Sequence, residues 1–203
     1  MPKISTAPRP TPTIPTGGLF SVFAEATISA PPSAVYMALL DTSTWADWNT
    51  FVPSVTINKR PSTSSETVDT RLQKDMALSF HVNMTSTMTT TSKELVTQVD
   101  KVPSTLQPGQ TTRVIWIMDN KSSMTPRFLL SAERVNEIED LGDGTCVYRS
   151  WETFGGILAH IVKWKFEQTL QKNFQDWVVG LQQYIQNKER TPGERDAAIE
   201  MSA

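Results

Sequence analysis

The chain has 203 residues, a length that fits about one to one and a half domains and supports one substantial core. Its 19 Lys and Arg against 21 Asp and Glu leave a net charge of −2, too near neutrality for an electrostatic nucleic-acid binder. No run approaches the roughly 18 apolar residues of a membrane span, and the one cysteine, Cys146, excludes an intrachain disulfide framework and a multi-cysteine zinc site and suits a reducing compartment.

Residues 1–18 hold five prolines and no aliphatic periodicity, which predicts a disordered or polyproline-like arm. The arm has no hydrophobic stretch of the secretory kind. Lys3 and Arg9 without any acid resemble a mitochondrial presequence, but the prolines oppose the amphipathic helix such a segment needs. The expected location is therefore cytoplasmic, with mitochondrial as the alternative. Residues 188–203, polar and broken by Pro192-Gly193, predict a flexible tail. One domain, 19–187, lies between.

Phe20, Val22, Ala24, Ala26 and Ile28 fall on one side of an alternating run and predict a first strand. Pro31-Pro32 then introduces a helix over Ala34–Leu40, and Asp41-Thr42-Ser43 offers caps for a second over Thr44–Asn49. Val55–Lys59 and Met76–Met84 read as strands, as do Lys93–Val102 and Thr112–Asp119. The Thr/Ser-rich stretches Pro61–Thr70 and Thr85–Ser92 read as loops or weak strand continuations. Pro103–Gln110 makes a connection. Phe128–Asp140 and Thr145–Glu152 flank Leu141-Gly142-Asp143-Gly144, a hairpin signal because glycine takes positive φ readily. From Ile157 to Asn187 the residues Phe166, Leu170, Phe174, Trp177, Leu181 and Tyr184 recur at three- and four-residue steps, which makes a long amphipathic helix.

Successive strands without intervening helices imply an antiparallel sheet, and one long apolar helix must bury its face against it. The fold class is α+β: a curved sheet of about six to seven strands wrapped around the C-terminal helix, enclosing a hydrophobic cavity. Three phrases give this order a family likeness. ATISAPPSAVYMALLDTSTWADWNTFVPSV, TTRVIWIMD and VYRSWETFGGILA resemble the SRPBCC (START-like, helix-grip) superfamily, closest to its polyketide cyclase/dehydrase-like branch. The resemblance implies a cavity for a hydrophobic small molecule. It also admits a cofactor-independent cyclase or dehydratase, or a lipid or coenzyme Q carrier.

The candidate lining of that cavity is Trp48, Phe80, Met84, Trp116, Met118, Phe128, Trp151 and Trp177, since broad polarizable surfaces hold apolar rings. The plainer alternative is that these side chains simply pack as core. Arg134 and Glu152 fall opposite each other across the hairpin and, if buried, could orient a carbonyl or move a proton; otherwise they form an exposed ion pair. Tyr148 and Tyr36 offer hydrogen-bond donors to an enol or ketone oxygen, and Tyr148 completes the candidate catalytic set. Both Val147/Arg149/Trp151 and Cys146/Tyr148/Ser150/Glu152 are mixed sets, so the inward face of this strand stays open. His81 falls on the polar side of its strand, and His160 lies off the helical stripe. Neither has the partners of a metal motif. Asp41 and Asn49 read as capping or turn residues, Gly155-Gly156 as a tight strand-to-helix step, and Cys146 as structural. No metal or cofactor is expected, and the oligomeric state is not readable.

Overall fold

The computed structural model of the protein describes residues 2–61, 70–101 and 107–189. Alternation is what organises it. Among the described residues eight strands form one antiparallel sheet: β1 (Lys3–Ser5), β2 (Phe20–Ile28), β3 (Ser54–Lys59), β4 (Ala77–Asn83), β5 (Thr89–Val99), β6 (Thr111–Met118), β7 (Ser131–Asp140) and β8 (Cys146–Gly155). Their spatial order is β1-β2-β8-β7-β6-β5-β4-β3. Strands β3 to β8 therefore run as a meander, and the segment between β2 and β3 carries the chain from one side of the sheet to the other.

That segment holds α1 (Pro32–Leu40), entered with Pro32 in its first turn, where the missing N–H costs nothing. A 3₁₀ turn, Thr42–Asp47, follows; Asp41 caps it by accepting from the Ser43 N–H at 3.1 Å. It replaces the expected helix over Thr44–Asn49. The chain stops there because the Asn49 side chain accepts from the N–H groups of Phe51 and Val52 at 3.1 and 2.9 Å, an Asx turn.

The last element, α2 (Ala159–Glu189), spans 31 residues and lays Leu170, Phe174, Trp177, Leu181 and Ile185 into the concave face. These pack with Val22, Trp45, Trp48, Phe80 and Trp116 in one core. At Gly180 the helix runs so close to the 3₁₀ turn that a β-carbon would lie 2.1 Å from the Trp48 carbonyl oxygen. Among the described residues no helix is long and apolar enough to cross a membrane.

Two boundaries differ from the sequence reading. The strand expected from Phe128 begins at Ser131, because Asn120 donates to the carbonyls of Thr125 and Leu130 at 2.7 and 2.8 Å and holds the preceding residues as a loop. The proline-rich arm is not the disordered segment expected. It adds β1 to the sheet edge and then crosses the convex face, where Arg9 lies 3.6 Å from the Phe23 ring centre and Thr13 donates twice to Glu133 at 2.6 and 2.7 Å. Proline bars a helix there but leaves extended backbone free to pair. Residues 62–69 and 102–106, parts of two expected connections, and 190–203 of the expected tail lie outside the described residues; Lys188 and Glu189 end α2.

Candidate functional site

Register across the sheet sets the site. One row of neighbouring partners runs Val96–Trp116–Arg134–Glu152–Val22 across β5, β6, β7, β8 and β2. One pleat along, Leu78 pairs with Glu94 and Glu94 with Met118. Same-face residues recur every second position, so Arg134, Glu152 and Glu94 all project to the concave side.

Between this face and α2 lies a cavity of about 180 Å³, lined by Phe51, Val52, Phe80, Val82, Met84, Thr90, Ser92, Glu94, Trp116, Arg134, Glu152, Phe154, Val162 and Leu170. It is close to the roughly 150 Å³ void that accommodates benzene and below the roughly 300–1,000 Å³ of drug-sized sites. The space suits one ring, not a long acyl chain.

Arg134 is 2% exposed. Its guanidinium lies 3.8 Å from the Trp177 ring centre, 4.1 Å from Phe174 and 5.5 Å from Trp116. Its Nε donates to Ser150 Oγ at 3.0 Å, while Nη2 is buried without a hydrogen-bond partner among the described residues. Behind it runs a relay of hydrogen bonds. Trp177 Nε1 donates to Tyr148 Oη at 2.7 Å, and Tyr148 Oη and Ser150 Oγ donate to Asn136 Oδ1 at 2.8 and 3.0 Å. Asn136 Nδ2 anchors on the Val114 carbonyl at 3.2 Å. The arginine is thus clamped from behind with the two N–H groups of Nη2 left over. A buried unpaired donor costs about 1–3 kcal/mol, more when charged, and an incoming carbonyl or carboxylate oxygen would recover that.

Two carboxyls share the cavity wall with it. Burial pushes Glu152 up to about 7, against the opposing pull of Arg134. Burial also pushes Glu94 up to about 8, with the nearby charge of Glu152 adding to the rise and the hydroxyl of Ser92, which donates to it, opposing. Both groups therefore change protonation near neutrality, and as neighbours they titrate as a pair. Tyr148, desolvated and pushed up to about 12, stays a neutral donor. The Cys146 thiol, pushed to about 12 by burial, is inert at neutral pH.

The structure brings together Phe80, Met84, Trp116, Arg134 and Glu152 on the cavity wall. It leaves the other expected site residues elsewhere. Trp48 and Trp177 are packed in an aromatic cluster with Trp45, their ring centres 5.0 to 6.1 Å apart. Met118 pairs beside Glu94 without lining the cavity. Phe128, in the loop, is 66% exposed. Trp151 is a correction of face: its strand turns it to the convex side, where Nε1 donates to the Pro10 carbonyl at 3.3 Å. Tyr148 is buried beneath the wall and acts as support, not as a cavity donor. Tyr36 donates to the carbonyl of Asp100, outside the cavity. His81 is exposed and meets Thr56 Oγ1 at 3.0 Å.

Glu94, Ser92 and Thr90 are polar wall residues that the sequence reading does not single out. Their signal was the alternation of Leu78, Phe80 and Val82 on the neighbouring strand, whose pairing carries Glu94 and Ser92 to the same face. Among the described residues no three His, Cys, Asp or Glu side chains converge as a metal site.

A bent antiparallel sheet gripping a C-terminal helix around an internal cavity defines the START-like, helix-grip (SRPBCC) class, and the chain has this fold. No protein-family model matches it. Over 167 residues, 76% of this chain and 81% of the relative, it is 32% identical to the oxopyrrolidines biosynthesis cluster protein O of Penicillium oxalicum, and it belongs to that protein's family. Among solved structures it is similar to the Helicobacter pylori protein jhp0584, with a TM-score of 0.63 and 16% identity over 91% of this chain and 98% of that one. Norcoclaurine synthase from Thalictrum flavum, truncated, is similar at a TM-score of 0.54 and 11% identity over 84% of this chain and 94% of that one. These two likenesses are of fold.

Proposed function

We propose that the chain binds a small ring-sized molecule bearing a carbonyl in the sheet–helix cavity and transfers protons on it, as a step in natural-product biosynthesis. The observation that carries this reading is the meeting of Glu94, Glu152 and Arg134 on one wall of a cavity otherwise lined mainly by apolar groups. A pure carrier gains nothing from two buried carboxyls, whose burial costs stability whenever they ionise. A proton-transfer site needs groups that change protonation near the working pH.

In this reading the substrate oxygen accepts from Arg134 Nη2, the donor without a partner. Glu152, the more acidic of the pair, removes a proton from the carbon next to the carbonyl, and Arg134 stabilises the negative charge that develops on the oxygen. Glu94, still protonated, delivers a proton to a departing hydroxyl or to the new ring oxygen. In dehydration the C–O bond to the departing hydroxyl breaks as the C=C bond forms and water leaves; in ring closure the carbanion carbon bonds to a second carbonyl carbon of the substrate, whose C=O π bond breaks and whose oxygen takes the proton from Glu94. The proton held by Glu152 then passes through solvent to restore Glu94. This is the chemistry of the cyclase or dehydratase that the sequence likeness admits as an alternative to binding alone, with Glu94 taking the place given to Tyr148. The relative's place in a biosynthesis cluster supports it.

The test is genetic and chemical together. Replacing the gene in its native host by Glu152→Gln is expected to give the same accumulated, unprocessed intermediate as deleting it, read by mass spectrometry of extracts. Purified Glu152→Gln should keep binding while turnover falls by about 10²–10⁴-fold. Wild-type product levels from Glu152→Gln and Glu94→Gln alike would establish a lipid, quinone or other carrier instead.

A further inference from the structure

Nine large hydrophobic side chains are exposed among the described residues, and five of them fall in the loop before β7 and at the start of α2. Ile161 and Trp164 lie three residues apart on one face of α2, at 54 and 85% exposure, and Ile157, 64% exposed, sits in the turn just before the helix, four residues ahead of Ile161. Phe128, 66% exposed, joins them, since the Ile157 N–H donates to the Phe128 carbonyl at 3.1 Å. Met124, 88% exposed, lies in the same loop as Phe128. Single exposed hydrophobics need no explanation, but a contiguous group of this kind marks a contact surface.

The charges around it say what it contacts. Lys121 and Arg127 flank the loop residues, and Lys163 and Lys165 flank Trp164. All four belong to a chain whose net charge is −2, so the basic character is local. Glu167 meets Lys163 at 3.9 Å, and Lys165 lies 5.1 Å from the Phe166 ring centre. Tryptophan and isoleucine projecting amid long cationic side chains match the interfacial zone of a lipid layer, where aromatic rings sit at headgroup depth and lysines reach anionic phosphates. A second copy of the chain fits less well. A two-fold contact would bring these cations against their own symmetry mates.

We propose that Phe128, Ile157, Ile161 and Trp164, with the surrounding lysines and arginine, form a docking face for an anionic membrane surface. The face is independent of the chemistry in the cavity but lies next to it. Ile161 projects outward, and Val162, the next residue, lines the cavity. Docking would therefore set the first turns of α2 against lipid, on the side from which an apolar guest comes.

The full chain, sedimented with phosphatidylcholine vesicles containing a minority of phosphatidylserine, should pellet with them and should remain in solution with phosphatidylcholine alone. Ile161→Gln with Trp164→Gln should weaken binding by more than about tenfold. Lys163→Gln and Lys165→Gln should each weaken it by about fivefold, and added salt should do the same. Ile161, Trp164 and Lys165 are exposed and Lys163 is half-buried, so unchanged circular dichroism and Tm confirm that the variants are folded. Failure of the wild-type chain to pellet, or equal pelleting of the Ile161/Trp164 variant, overturns the proposal. So does a concentration-dependent dimer in sedimentation velocity that the same variant abolishes.

Discussion

Arg134 shows how one residue can be both a burden on the fold and the centre of the site. Three aromatic faces and one hydroxyl hold its guanidinium in place, yet among the described residues no carboxylate lies within ion-pair distance and Nη2 has no hydrogen-bond partner. Replacing a buried charge by an apolar side chain of similar length is often neutral or stabilising. Arg134→Met should therefore stay folded while losing affinity for carbonyl-bearing ligands. Its second effect has a definite sign. Arg134 is the group that pulls Glu152 down, so its removal should raise Glu152 above about 7, a shift visible in a carboxyl-carbon NMR titration. No upward movement would mean that the two do not interact across the wall. Trp116 and His81 give a complementary comparison, one on the cavity wall and one exposed on the outer side of β4. Trp116→Ala should weaken ligand binding well beyond His81→Ala in a titration. The reverse ranking would move the binding site away from this cavity.

At the scale of elements, the fit of α2 into the sheet depends on a residue with no side chain. Gly180→Ala on an open helix face gains about 1 kcal/mol from propensity. Here the added carbon would lie 2.1 Å from the Trp48 carbonyl oxygen, and backbone cannot swing aside as a side chain does. Pushing the helix off the 3₁₀ turn costs about 1–3 kcal/mol of overpacking and loosens the edge-on contacts among Trp45, Trp48 and Trp177. The clash wins, and Gly180→Ala should lower the denaturant midpoint with little change in slope. A rise in the midpoint would show that α2 rides further from the turn. The arm teaches a related lesson. Its prolines exclude helix but not pairing, and beyond its pairing with β2 it meets residues more than a hundred positions away, such as Glu133 and Trp151. Nothing local in the first eighteen residues announces partners so distant.

For the whole molecule, what was legible followed burial on a single face. Strand β4 and helix α2 keep a clean period because one side of each meets the core, and their places are readable to within a few residues. Strand β7 is covered by core on one side and by the arm on the other, and eight of its ten positions are buried. Double coverage erases the period-two signal, which is why the inward face of β7 and β8 was undecidable and Trp151 was placed in the cavity. Glu94 was missed for the opposite reason: a carboxylate amid threonines and a lysine reads as solvated surface, and only pairing with β4 turns it inward. That buried pair leaves a mark on global stability. Glu94 and Glu152 have folded values of about 8 and about 7 against an ordinary 4.5, so the fold favours their neutral forms. Their contribution is complete below about 4.5 and is lost as pH rises through 7 and 8. Asp41 and Asp119, held below their ordinary value by hydroxyl and backbone donors, act in the other direction and lose their contribution in acid. The opposing trends place maximal stability near about pH 5. At about 1.4 kcal/mol per unit, the carboxyl pair should cost several kcal/mol by pH 8.5, reduced by whatever water enters the cavity. The Tm should therefore fall steadily from pH 5 to pH 8.5 in wild type and much less in a Glu94→Gln, Glu152→Gln double variant, which should be the more stable protein at the alkaline end. Parallel Tm profiles for the two proteins would show that the carboxyls are not desolvated, and the case for proton transfer in the cavity would go with them.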